Sequence, residues 1–243
     1  MAHKTRKKLT KKEIQHDPVG EKLEGGLVFL QTHQKEVIGV LIAVIVVLLV
    51  GQYLLSRRSA AANEAMAGFI TSGQIFNQSA SAASMNQLEQ AFQGMDAAYT
   101  MAMQTWNGNP QNQWGRRAAV LAAKIDIIRG NYDSAISTLS TLLAANPRES
   151  IRISALLHMG IVLENRGSEQ DLQNATGAYQ EVLQLADEDR MVRSEALHGL
   201  SRVSFAAGRA QESLDYLQQA LAMGTDTTAF EKYRLLQLAE LTE

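Results

Sequence analysis

Glu195 and His198 stand three residues apart in a helix-forming stretch, which puts a carboxylate and an imidazole on one helix face. Di-iron bundles use a Glu-x-x-His pair twice, with further glutamates. Here there is one copy, and His158, the other histidine of the C-terminal part, has Ala155 three residues before it. The remaining histidines, His3, His16 and His33, precede the most apolar stretch of the chain. With no cysteine in the sequence, thiolate zinc sites, cysteine nucleophiles and disulfides are excluded. No Gly-x-x-x-x-Gly-Lys, Gly-x-Ser-x-Gly or His-Glu-x-x-His occurs. The expectation is a protein without catalytic residues, cofactor or metal, not an enzyme.

The more productive chemistry is that of binding. Side chains that would line a groove are Arg117, Val120, Lys124, Ile127, Leu157, Ile161, Glu164, Glu195, His198, Arg202 and Phe205. They occupy recurring positions on the first helices of successive helical pairs. Their mixture of apolar and charged groups suits an extended or helical peptide. Such residues also serve packing between helices, so each is a candidate for contact rather than an assigned one.

The elements that must position them read as an all-α array. Few prolines, abundant Ala, Leu and Gln, and few aromatic residues favour helices. A helix is expected over 59–78 as a stalk with Ala65, Phe69 and Ile70 apolar, and a Ser/Ala-rich loop over 78–84. The next helix, roughly 85–106, carries Leu88, Phe92, Met95, Tyr99 and Met103 as its apolar stripe and ends at Gly108-Asn109-Pro110.

A repeat then emerges. Ala123, Ala135 and Pro147 are spaced by twelve, with Gly130 between the first two. Two antiparallel helices approach closely only where the crossing residues are small, glycine supplies the turn, and proline stops the second helix. A second unit from about Ile153 has Gly160, the turn at Gly167, then Ala175 and Tyr179. Its small-residue offset is fifteen, so three extra residues are expected in the turn Ser168–Asn174. A third unit from about Ser194 has Ser201, Gly208, Ser213, Leu217 and Ala220. Phe230–Leu241 reads as a capping helix. These offsets resemble the tetratricopeptide pattern, and the fold expected for 57–243 is a tetratricopeptide-like helical-hairpin solenoid.

Ahead of the array lies a segment of different chemistry. Residues 37–56 hold no charge, and Val40 to Val50 is wholly apolar. Twenty helical residues reach about 30 Å, the thickness of a bilayer's hydrocarbon core. Residues 1–56 carry eight Lys/Arg against five Asp/Glu, whereas 57–243 carry fifteen against twenty. The positive-inside rule therefore puts the tail 1–36 in the cytoplasm and the C-terminal domain across the membrane. Six basic residues lie between Lys4 and Lys12, suited to orienting the chain and to anionic lipid headgroups. No aromatic residue interleaves them, and nucleic acid is not expected as a partner. Residues 18–35 read as a short amphipathic segment beginning at Pro18.

Taken together, the anchor at 37–55 and the stretch Tyr99, Pro110, Arg117-Ala118-Ala119, Gly130-Asn131-Tyr132 and Ala135 resemble a bacterial family. It is that of the ancillary Sec-translocon subunit, whose tetratricopeptide domain is grouped with that of the cell-division coordinator. The basic tail is longer here, and Asn107–Trp114 is rich in Gln and Asn. The resemblance implies a single-pass protein of the inner (cytoplasmic) membrane with a periplasmic domain. It further implies a scaffold for protein export or envelope assembly that meets the translocon, periplasmic chaperones or exported chains. The alternative expectation is a self-associating structural envelope protein, in which the helical domain forms a homo-oligomer.

Overall fold

The computed structural model describes residues 32–223. The basic tail, nearly all of the segment 18–35 and the expected helix Phe230–Leu241 lie outside the described residues. Within them, 87% are helical and no strand occurs. The helices are α1 (Gln34–Ser84), α2 (Leu88–Gly108), α3 (Gln113–Ile128), α4 (Tyr132–Ala144), α5 (Glu149–Arg166), α6 (Glu169–Leu185), α7 (Arg190–Ala206) and α8 (Ala210–Ala222). The chain divides into two units, 1–59 and 60–243.

In the first unit, the apolar side chains from Ile38 to Leu55 are exposed. This run makes α1 long and apolar enough to cross a membrane, with a mean hydropathy of 2.8 over its most apolar window. A helix satisfies its backbone polar groups internally, which a bilayer core requires.

In the second unit, each helix packs against the next from α2 to α8, and α5 also packs against both α3 and α7. Three of the turns pivot on Gly130, Gly167 and Gly208, with φ of 77°, 75° and 75°, where a side chain would be strained. Local polar groups hold those turns closed. Buried Asp126 accepts hydrogen bonds from Ser134 Oγ at 2.6 Å and Asn131 Nδ2 at 3.3 Å. Asp171 accepts from Arg166 and from Ser168 Oγ, whose own oxygen caps the amide of Asp171. These bonds hold the Asp171 carboxyl well below the ordinary carboxylate range, Arg166 contributing most and Ser168 next.

Four expectations change. Residues 78–84 continue α1 instead of looping. Their serine hydroxyls fold back onto helix carbonyls, Ser79 to Ile75, Ser81 to Asn77 and Ser84 to Ser81. The helix stops only beyond Ser84, with Asn86 at φ 61°. Nor is the C-terminal half of α1 a bare stalk. Phe76 packs with Met95, Ala98 and Ile125, and Phe69 packs near Ala102, Ala118 and Ala122. The stripe of α2 that faces inward is Ala91, Met95, Ala98 and Ala102, while Leu88 and Phe92 are exposed. Small residues win that face because α1 and α2 lie so close: a Cβ on Gly68 would stand 2.3 Å from Thr105 Oγ1, and one on Gly94 2.1 Å from Ser79 Oγ. Lastly, the three extra residues of the second hairpin sit inside a helix. Gly167 and Ser168 alone separate α5 from α6, and the surplus forms the first turn of α6.

Of the twelve-residue offsets, Ser201 to Ser213 marks a helix crossing. Ala123 and Ala135 are fully buried, and the hydroxyls of Ser201 and Ser213 meet at 2.9 Å. Gly160 has a different neighbour. The ring of Tyr179 on α6 lies between α5 and α7, and a Cβ on Gly160 or Gly199 would come within 2.5 or 2.4 Å of ring carbons. Gly199→Ala or Gly160→Ala therefore forces the ring aside. Overpacking costs about 1–3 kcal/mol and outweighs the gain in helix propensity of up to about 1 kcal/mol. Each variant is expected to lower the unfolding midpoint measured by circular dichroism, whereas the same change at exposed Gly177, where nothing lies within 4 Å, should raise it slightly.

Candidate functional site: a basic groove on the α3–α5 face

The groove is built mainly from α3 and α5, with Phe69 of α1 at its edge. Its volume is 390 Å³, and Arg117, Val120, Lys124, Ile151, Ser154 and His158 are among its lining. Three of these belong to the set expected from the repeat positions: Arg117, Val120 and Lys124.

Aromatic rings position both cations. The guanidinium of Arg117 lies 5.1 Å from the ring centre of Trp114, one turn earlier on α3. Lys124 Nζ lies 5.1 Å from the ring centre of Phe76 on α1. Phe69 and Trp114 lie 5.8 Å apart at a tilt of 31°. Contact with a ring face attracts a cation without neutralising it. No carboxylate pairs with Arg117 or Lys124 among the described residues, in contrast to Arg129 with Asp96, Arg152 with Glu181, Arg166 with Asp171, and Arg209 with Glu212.

His158 sits at the far end of this groove. Its Nδ1 lies 2.8 Å from the Ser154 carbonyl, the geometry of an N–H donating to the preceding helical turn. Burial lowers its pKa below the ordinary 6.5. The Ser154 bond and Glu195 oppose that shift, and Lys124 adds to it. The imidazole is thus neutral at pH 7, with Nε2 left as an acceptor. The ladder Lys124, His158 and Glu195 runs across α3, α5 and α7. Sequence reasoning weighed His158 only as a metal ligand and left it out of the groove. Its signal is its register: His158 lies one residue after Leu157, and the groove face is turned by that one step.

The other expected positions disperse. Leu157 is 6% exposed and belongs to the core, while Ile127 and Ile161 are half-buried against that core. Glu164 and Arg202 bind one another through two bonds of 2.7 and 2.9 Å between α5 and α7. Tyr179 Oη donates to the same Glu164 at 3.2 Å. Burial first, then Glu164, pushes the Tyr179 phenol above its ordinary range, so it stays a donor. Glu195 and Phe205 are exposed, and His198 is half-buried on α7. Gly199 was missed altogether, although an interior helical glycine costs about 1 kcal/mol and signals close approach.

Known families and curated proteins offer no match to this chain.

Among the described residues, no three His, Asp or Glu gather as metal ligands would. A separate apolar patch, Met85, Leu88 and Phe92, lies exposed where α1 turns into α2.

The buried imidazole has a measurable consequence. Below the unfolded-state value of about 6.5, the unfolded chain binds a proton that the folded chain refuses. Stability contributed by neutral His158 is full above that pH and is lost as the pH falls through the lower folded value. His158→Gln should flatten this part of the stability profile between pH 7 and 5, measured by urea unfolding at each pH. A slope unchanged by the substitution would contradict the assignment.

Proposed function

We propose that this chain is a membrane-anchored protein-interaction scaffold of the tetratricopeptide-like kind. Its solenoid of hairpins would stand on the periplasmic side of a bacterial inner membrane and assist protein export or envelope assembly. The observation that carries this reading is the groove, an apolar floor between two ring-held cations that no carboxylate of the described chain neutralises. Elsewhere in the domain Arg129, Arg152, Arg166, Arg202 and Arg209 each meet an acid, which, among the described residues, Arg117 and Lys124 do not. The groove offers binding and no catalytic constellation. The single apolar run in α1 supports an anchor, and the charge bias of the flanks supports the orientation. The likeness of the anchor and of the Arg117 to Ala135 stretch to the ancillary translocon family supports translocon components, periplasmic chaperones or exported chains as partners.

The alternative, a self-associating structural envelope protein, draws on exposed Met85, Leu88 and Phe92. Patches of this kind mark contacts between proteins. It predicts a dimer or larger species of the full chain in detergent, dispersed by Phe92→Glu.

The absence of cysteine makes topology directly measurable. A cysteine replacing exposed Gln180 should react with a membrane-impermeant maleimide in cells whose outer membrane alone is permeabilised. One replacing Lys8 should react only after the inner membrane is opened. In the same cells, a photocrosslinking residue at Arg117 should capture discrete polypeptides that one at Gln180 does not. Labelling in the reverse order removes the periplasmic reading, and equal, diffuse capture from both positions removes the scaffold.

A further inference from the structure

Resting on that reading, we infer that the groove takes an extended acidic and apolar peptide. Two of its carboxylates, about three residues apart, would meet Arg117 and Lys124, while an apolar side chain between them lies over Val120, Leu121 and Ile151. Arg117 and Lys124 are seven residues apart on α3, so about 10 Å separates their origins along the axis at about 1.5 Å per residue. A chain in the extended polyproline-II form covers that distance in about three residues at about 3.1 Å each and returns every third side chain to the same side, whereas a β-strand would turn them to opposite faces. The floor between the two cations is apolar, and neither cation has a carboxylate partner among the described residues. The volume, 390 Å³, lies at the small end of ligand pockets, enough for one large side chain and its neighbours.

The same features disfavour other anions. A single phosphate is too small to span cations two helical turns apart. Stacked bases would need open ring faces, whereas Arg117 covers one face of Trp114 and Phe76 is buried beneath Lys124. An anionic bilayer would meet a segment, 57–243, that carries fifteen basic against twenty acidic residues, and the net charge opposes adsorption. The charged groups facing the groove are Arg117, Lys124 and, beyond neutral His158, Glu195. The binding polarity follows: a carboxylate belongs at the α3 side and is repelled toward α7. Because the rings already hold the two cations in place, less freedom is lost when they engage a ligand.

The test uses the full chain in zwitterionic nanodiscs and a fluorescent peptide, Ser-Glu-Leu-Phe-Glu-Ser, read by anisotropy. Versions with Gln or Lys in place of both Glu serve as comparisons. The Glu peptide should bind about five- to tenfold more tightly than the Gln peptide, as expected for two half-exposed ion pairs, and the margin should shrink as salt is raised. R117Q/K124Q should erase the margin, and R117E/K124E should transfer it to the Lys peptide, with circular dichroism confirming an unchanged helix content. Equal affinity for the Glu and Gln peptides, or binding of neither, overturns the proposal. So does phosphatidylglycerol vesicle binding that depends on Arg117 and Lys124 while the peptides do not bind. If crosslinks from Arg117 to polypeptides persist in those cases, the scaffold stands and only this ligand class falls. If they vanish as well, both fall.

Discussion

Helix backbones in this domain come close together, and nearly every other feature depends on where side chains are small enough to allow it. Between α1 and α2 the room is made by Gly68 opposite Thr105 and Gly94 opposite Ser79. Between α3 and α4 it is made by Ala123 and Ala135, and between α7 and α8 by Ser201 and Ser213. At the centre the solution is inverted. Gly160 and Gly199 leave a slot, and Tyr179 fills it from α6. Its ring fixes the spacing of α5 and α7, and its hydroxyl reaches the Glu164–Arg202 pair that ties the same two helices. Close packing of this sort gains dispersion contacts along each interface. It leaves the larger side chains of α3, α5 and α7 to form an outward face.

The charges of that face follow a division of labour. Glu164 and Arg202 neutralise each other, and Arg166 bridges Asp171 and Asp133 across α4, α5 and α6. Asp171 is buried and the Glu164 side chain is only 18% exposed, so leaving either without its arginine would be costly, and each pair removes net charge from its surroundings. On α3 the partners are aromatic instead, so Arg117 and Lys124 are held while their charge stays available. Neutral His158 then separates this basic region from Glu195. The result is a local field of defined sign in a domain whose overall charge has the opposite sign.

Much of the architecture was legible in the sequence because its signals are local. Glycine at the three turns, the twelve-residue offsets and the uninterrupted apolar run each act through a few adjacent residues. What escaped depends on which of two competing local bonds a polar side chain makes, or on partners distant in sequence. A serine-rich stretch reads as a loop until its hydroxyls are seen to bond within the helix, as Ser79 does to Ile75. Leu88 and Phe92 look like a core stripe, yet the neighbouring helix is too near for them and selects Ala91 and Ala98. The surplus in the second hairpin was visible as a number, but only the cap at Ser168 shows that it extends α6. For the groove, spacing gave Arg117, Val120 and Lys124. The rotation of α5 that buries Leu157 and presents His158 depends on the packing of three helices at once.

The slot around Tyr179 also bears on how such a protein can change over generations. Repeat arrays commonly gain and lose units, since each touches only its neighbours through similar surfaces. Here the second and third hairpins share one side chain, with a glycine on each side reserved for it. A recombination that removed the second hairpin would leave a void beside Gly199, and one that removed the third would uncover one side of the Tyr179 ring. The slot thus ties the second and third hairpins into one unit whose parts would be costly to separate.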